Sequence, residues 1–413
     1  MSPTAMSETV WVAGVGMTPF GVHADRSFKE LACSAVSDAL ADAGAVTGDI
    51  EVALFGTTTQ GPLGNQHMVA GQIALREMGV QRIPVYNVEN ACATGASAFS
   101  LAVSQLRSGA SDVALAVGVE KMSIGDPERT MAVFDGAYDV SDREGLDRTL
   151  ALLGGDVDEP DLGRRSIFMD IYAAMARNHM RLHGTTQRQI AAVSAKNHRH
   201  AAGNRRAHYR TPLSVEEVLA ARRLSYPLTV PMCAPVTDGG AAAVLCNARG
   251  LRRLRGTRPV KVLAAVVGTG TDRDVTSFDG HIGARVAERA YQAAGAGPED
   301  VSVAEVHDAT AFAEILQTEL LGLVPAGDGG PAAEAGVTAL GGRVPVNPSG
   351  GLQSKGHPLA ATGLGQIFEL VQQLRGEAGA RQVERARIAL AENGGGFHRG
   401  EEAVTAVTIL GKG

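Results

Sequence analysis

The chain has 413 residues, 45% of them hydrophobic, with a formal net charge of −6; it is too long for one simple core, so two domains or a duplicated fold are expected. The mild acidity and the 4% aromatic content argue against nucleic-acid binding; four cysteines without a CxxC pair argue against a disulfide framework or a zinc ribbon, and no metal site is expected. No apolar run reaches the roughly 18 residues of a membrane span, and Met1–Thr9 lacks a basic stretch followed by an apolar core, so a cytoplasmic protein is expected.

In chain order, Val10–Gly16 reads as a strand ending in glycine, followed by a polar loop and an amphipathic helix over Phe28–Ala43 that ends in Ala-Gly-Ala. Asp49-Ile-Glu-Val-Ala53 leads into a strand with apolar alternation. Ile83–Val88 reads as a short strand, and Phe99, Leu101 and Leu106 mark the helix after it. Cys92 falls at the junction between them. A cysteine there sees unpaired backbone N–H groups and the positive end of a helix dipole, which favour the thiolate that attacks carbonyls. Ala114-Leu-Ala116 lies in the next apolar strand.

Residues 122–225 interrupt this order. They hold an acidic, loop-like stretch from Asp135 to Asp161 and a helical pattern over Met175–His183. A basic stretch follows, from Lys196 to His200 and on through Arg205, Arg206 and Arg210. The segment reads as a lid over one face, its charge run mostly a solvated surface, with basic residues suited to a phosphorylated substrate. Ala241–Leu245 is an apolar strand followed by Cys246.

The second half repeats the first. Val260–Gly268 matches Val10–Gly16; the helix Gly283–Ala296 again ends in Ala-Gly-Ala; and Asp300-Val-Ser-Val-Ala304 matches residues 49–53 without a gap. Ala361-Thr-Gly363 matches Ala93-Thr-Gly95, Leu370–Arg375 matches the end of the Cys92 helix, and Ala389-Leu-Ala391 matches residues 114–116. Alternating strands and helices predict an α/β fold with a mostly parallel sheet. By this symmetry His357, in Asn347-Pro-Ser-Gly-Gly-Leu-Gln-Ser-Lys-Gly-His-Pro358, faces Cys92 from a helix start. It suits removal of the thiol proton or a hydrogen bond to an acyl oxygen. His307 and Asp308 end a strand, where α/β sheets build sites. Asn393-Gly-Gly-Gly396 ends another, and its backbone with the Cys92 amide suits an oxyanion hole.

These motifs resemble the thiolase superfamily over nearly the whole chain, most of all its sterol-carrier-protein-linked and archaeal-type acetyl-CoA acetyltransferase branch. Asn90–Ala96 is similar to the nucleophile loop, Asn347–Pro358 to the histidine loop, and Met232–Gly240 to the segment leading back from the loop domain. The resemblance implies a five-layered αβαβα fold of two duplicated halves. These are residues 1–121 and 256–413, with an inserted loop domain at 122–225 and a return segment at 226–255. It implies a homodimer or tetramer, no permanently bound cofactor, and a coenzyme A thioester as substrate. An OB-fold partner bearing a zinc ribbon is a further expectation.

The roles it implies are an acyl-enzyme on Cys92, thiol activation and oxygen binding by His357, and oxygen positioning by His307. The Cys92 and Gly395 amides would form an oxyanion hole. His179, Met180 and Arg199 of the loop domain, with Ser349 and Gly350 of the histidine loop, would contact coenzyme A.

The chain departs from the family at the second catalytic cysteine. One family position for it holds Ala309 and the other holds Asn393. Cys33 and Cys246 read as core or strand residues, and Cys233, in the return motif, is not expected to reach the site. Acyl transfer to Cys92 needs no second base, whereas Claisen chemistry does. The expectation is therefore an acyltransferase with altered thiolysis, passing the acyl group to an acceptor already nucleophilic or using His398 or His307 as base. A retro-aldol lyase acting on β-hydroxyacyl-CoA, or an acyl-CoA-binding subunit active only with an OB-fold partner, are the alternatives.

Overall fold

A computed structural model describes residues 8–154 and 165–413. Its strands are β1 (Val10–Met17), β2 (Val52–Gly56), β3 (Val85–Val88), β4 (Val113–Glu120), β5 (Arg223–Ser225), β6 (Leu228–Thr229), β7 (Gly239–Cys246), β8 (Val260–Thr269), β9 (Val303–Glu305), β10 (Ile388–Gly395) and β11 (Val404–Gly411). Nine of them form one sheet in the order β3-β2-β4-β7-β1-β8-β11-β10-β9.

The duplication is visible in that order. β1 and β8 pair antiparallel at the centre, Trp11 opposite Lys261. Moving outward, β7, β4 and β2 on one side answer β11, β10 and β9 on the other. Even the edge strand β3 has a remnant counterpart, the single parallel bridge between Ala304 and Val346.

The expectation of a mostly parallel sheet is corrected. Only β2–β3, β2–β4 and β9–β10 are parallel; the other five pairings are antiparallel. Four of the five come from the return strand of each half, β7 and β11, which runs against both of its neighbours, and the fifth is the β1–β8 junction between the halves. β11 was not read from the sequence, and β7 was read as a strand but left outside the repeat.

Alternation along the strands builds the layers. Val10, Val12, Leu54, Ala114, Ala116, Val260, Val262 and Ala389 pack onto two central helices, Thr94–Arg107 and Leu359–Arg375. Opposite faces take one outer helix each: Phe28–Ala43 against Ala13, Phe55 and Leu115, and Ile282–Ala294 against Ala264, Leu390 and Val407. Helix, sheet, paired helices, sheet and helix follow in sequence. The paired helices lie close because a β-carbon on Gly95 would stand 2.4 Å from the Ala360 carbonyl oxygen, which only glycine avoids.

The inserted segment is a packed unit. Its helices Ile167–His183 and Gln187–Ala202 share a core with the C-terminal-half helix Ala311–Leu320. Within the stretch expected to be a loop, residues 143–154 form a helix; the part beyond 154 lies outside the described residues. The basic stretch is not a uniform solvated face either. Lys196 is buried, its Nζ donating to the Val346 carbonyl at 2.7 Å and pairing with Glu314 at 2.8 Å, while Arg199 is exposed.

Candidate active site

Cys92 sits in a single 3₁₀ turn, Ala91–Ala93, that opens directly into the helix Thr94–Arg107. The turn is tightly held. Ala91 adopts φ 48°, a left-handed conformation rare for a residue with a β-carbon. The Thr94 hydroxyl donates to the Ala91 carbonyl at 2.6 Å and accepts the Asn90 N–H at 2.8 Å. Asn90 Nδ2 donates to the Ser97 hydroxyl at 2.8 Å, and the Ala91 N–H to Glu89 at 2.6 Å. From the other half, the end of β10 abuts this turn: a β-carbon on Gly395 would lie 2.3 Å from the Asn90 carbonyl oxygen.

His357 follows Gly356 and precedes the helix Leu359–Arg375. Its backbone N–H donates to the Thr237 hydroxyl at 2.8 Å, and Nδ1 lies 2.7 Å from the Thr362 hydroxyl. That hydroxyl donates to the Pro358 carbonyl, so it accepts the Nδ1 proton and leaves Nε2 as the basic nitrogen. His307, at the end of β9, holds its backbone N–H on Glu392 at 2.9 Å. Both of its buried ring nitrogens lack a partner among the described residues. The two imidazoles meet edge to face with centroids 5.2 Å apart. Cys92 Sγ and one nitrogen of each histidine lie within 4.8 Å of one another.

The loops carrying the histidines are clamped together. Asp308 accepts the Leu352 N–H at 2.7 Å, Gln353 Nε2 at 2.8 Å and Asn197 Nδ2 at 3.0 Å. Glu305 takes the Ser349 hydroxyl at 2.6 Å and Lys355 Nζ at 3.0 Å. Asn347 Oδ1 accepts the Val306 N–H at 2.9 Å.

Electrostatics correct the expectation of a ready thiolate. Burial, reinforced by the Glu120 carboxylate, pushes the Cys92 thiol up to about 12; desolvation outweighs the helix terminus. Burial, with His307 and Lys355 adding to it, holds His357 well below the usual imidazole range, and burial brings His307 down to about 4. The resting site is thus a neutral thiol beside two neutral imidazoles.

All three residues line a cavity of about 720 Å³ whose wall is mainly apolar, with Met131, Phe134, Phe168, Met169, Leu213 and Leu224 among its residues. The five residues expected to contact coenzyme A do not line it. His179 is buried, with Nδ1 on Thr185 at 2.8 Å and Nε2 on Glu319 at 3.1 Å. Met180 follows it on the same packed helix. Helical rotation of about 100° per residue turns His198 toward the cavity and Arg199 to solvent. Ser349 is consumed by Glu305, and Gly350 lies against Ala201.

Asn393 is buried, its side-chain nitrogen and oxygen both unpartnered among the described residues. It shares with Gly395 the face of β10 that backs the Cys92 turn. His398 lies outside the cavity wall, at an isolated bridge to Glu401.

Two cavity residues were missed. Cys233 reaches the wall, with the Ala234 N–H donating to the Ala309 carbonyl at 3.0 Å and Cys233 itself bridging Thr310. Tyr172 also lines it; it precedes the helical pattern read over Met175–His183, and nothing in the sequence marks it as a cavity residue.

Comparison with known proteins agrees with this architecture. Residues 10–217 match the thiolase N-terminal domain and residues 271–412 the thiolase C-terminal domain-like family. The chain is similar to an acetyl-CoA acetyltransferase of Methanothermobacter thermautotrophicus, 38% identical over 94% of this chain and 96% of that protein. It is also similar to sterol carrier protein 2 of Bos taurus, 34% identical over 95% of this chain and 71% of that protein. Among solved structures, the Ltp2-ChsH2(DUF35) aldolase shares its fold, with a TM-score of 0.77 at 23% identity and 98% coverage of both chains. The duplicated halves and these matches make the chain a member of the thiolase family, with acyltransferases among its relatives.

Proposed function

We propose that this thiolase-family acyltransferase carries an acyl group on Cys92, taken from a coenzyme A thioester, and passes it to an acceptor. The observation that carries the reading is the meeting of Cys92, His357 and His307 within 4.8 Å at the wall of an apolar cavity. With a thioester carbonyl against Sγ, the thiol proton passes to Nε2 of His357 as sulfur attacks. His307, whose ring nitrogens await a partner, positions the carbonyl oxygen directly or through water. The Cys92 and Gly395 amides serve as the second oxyanion site. Collapse of the tetrahedral adduct expels the coenzyme A thiol and leaves the thioester on Cys92.

The cavity volume, within the range of small-molecule sites, and its aromatic and aliphatic wall suit a bulky apolar acyl chain better than acetyl. Arg222, exposed at the cavity wall, is a cation suited to the nucleotide phosphates. The open edge of β3, with exposed Met68, Val69 and Tyr86 nearby, supports a homodimer. No helix among the described residues is long and apolar enough to cross a membrane.

Intact-mass measurement after incubation with acetyl- to long-chain acyl-CoA tests the reading. An adduct that grows with acyl size and vanishes in Cys92→Ala is expected. No adduct with any donor overturns it, and turnover of a β-hydroxyacyl-CoA by Cys92→Ala would replace it with retro-aldol chemistry. Phe168→Trp should suppress long acyl groups before short ones.

A further inference from the structure

Thiolytic cleavage needs more than a nucleophile. When Cys92 sulfur attacks the 3-oxo carbon, the bond between C2 and C3 breaks and its electron pair moves to C2, which requires a proton. Ala309 has none to give, and a carboxamide such as Asn393 is no acid. Ala309 lines the cavity and belongs to an apolar cluster that also holds Tyr172 and Cys233. Tyr172 is 5% exposed, lines the same cavity as Cys92 and His307, and makes no side-chain hydrogen bond among the described residues. A buried tyrosine hydroxyl ordinarily finds a partner. One left without a partner on the wall of the cavity that holds the Cys92 thiol is available to a ligand.

We propose that Tyr172 is the proton-transfer residue of this site, standing in for the absent second cysteine. The inference rests on the acyl-Cys92 reading above. In the cleavage direction the Tyr172 O–H proton goes to C2 of the departing thioester enolate, forming the C–H bond and leaving tyrosinate. The tyrosinate then takes the S–H proton of the incoming coenzyme A thiol. The resulting thiolate attacks acyl-Cys92, and the released Cys92 sulfur recovers its proton from His357. Protons and electron pairs balance over the cycle, and no oxidant or reductant enters.

The surroundings fit a donor. Burial, then the charges of Glu402, Cys92, Glu392 and Asp308, hold the phenol well above its ordinary range, so it stays protonated at neutral pH. Cys233, a thiol on the same cavity wall, is the rival, and the Cys233→Ala arm of the test decides between them.

Tyr172→Phe tests the proposal with two donors. Acylation of Cys92 by a p-nitrophenyl ester, whose leaving group needs no proton, should stay within about threefold of wild type, while thiolysis of a 3-oxoacyl-CoA falls ~10²–10⁴-fold. Thiolysis retained in Tyr172→Phe, loss of p-nitrophenyl ester acylation alongside thiolysis in a folded Tyr172→Phe, or loss of thiolysis in Cys233→Ala alone would overturn the assignment. Failure of the wild-type protein to acylate Cys92 would instead remove the reading beneath it.

Discussion

Replacing Gly395 with alanine tests how far the C-terminal half positions the thiol of the N-terminal half. A β-carbon at 395 would stand 2.3 Å from the Asn90 carbonyl oxygen and 2.8 Å from the Ala93 nitrogen. Both are backbone atoms of the turn that carries Cys92, so no side chain can swing away. Real β-carbons do not come closer than 3.0 Å, and the turn or the strand must retreat by about 0.7 Å. The turn resists: Thr94, Asn90 and Glu89 hold it through four hydrogen bonds. The movement therefore appears at Sγ and at the Cys92 amide. Misplacement by ~1 Å costs on the order of 10²-fold in rate, so acyl-enzyme formation should slow ~10–100-fold, about 1.4–2.7 kcal/mol of transition-state stabilisation. Rapid-quench mass spectrometry of the Cys92 adduct measures it, with a melting curve to confirm a folded protein. An unchanged acylation rate in a folded variant would refute the idea that β10 sets the geometry of the nucleophile.

Other outcomes follow from the same structure. Alkylation of Cys92 by iodoacetamide should rise tenfold per pH unit from 7 to 10 without a plateau, because the thiol titrates only near 12; a plateau near neutrality would mean a stabilised thiolate. Glu402 is raised from 4.5 to about 7 by burial, so folding stability is fully present below the lower value and is lost as pH rises through the higher one. Glu402→Gln should then stabilise the protein by up to ~3 kcal/mol above pH 7 and not at all near pH 4, read from denaturant midpoints at both. Asp308→Ala strands the three donors of Leu352, Gln353 and Asn197 and should cost ~3 kcal/mol or more, with acylation falling alongside the melting temperature. Ala309→Cys places a thiol on the cavity wall and should speed exchange of the acyl-CoA α-protons in D₂O by at least ~10-fold, followed by NMR; no change would show that position 309 does not face the α-carbon.

The repeat was legible because it is written in contiguous strand–helix units. Val10–Gly16 and Val260–Gly268 are the two central strands, and the glycine-bounded helices after them are the two outer layers. The meeting of Cys92, His307 and His357 was legible because each stands at an element boundary with turn residues beside it, and the symmetry brings those boundaries together. Which residues of the inserted segment line the cavity was not. Whether His198 or Arg199 faces the cavity depends on one residue of helical phase. Whether Lys196 is solvated depends on Val346 and Glu314, 150 and 118 positions away in sequence. That Cys233 lines the cavity was hidden for the same reason, since its segment is placed by the long-range bond from the Ala234 N–H to the Ala309 carbonyl.

The neutral resting pair has a mechanistic consequence. A thiol near 12 is ionised to only ~10⁻⁵ at pH 7, so a free thiolate would cost about 7 kcal/mol before attack began. A pre-formed ion pair with His357 is no easier, because the imidazolium is disfavoured by the same burial and by Lys355. This favours proton transfer to Nε2 together with attack on the thioester, with charge appearing mainly on the carbonyl oxygen. That is where His307, neutral and without a partner, and the backbone amides of the Cys92 turn have donors to offer. The apolar cavity thus acts twice. On the proposed reading it accepts the acyl chain, and by suppressing charge on the thiol until a thioester is bound it makes the nucleophile depend on the substrate it is to attack.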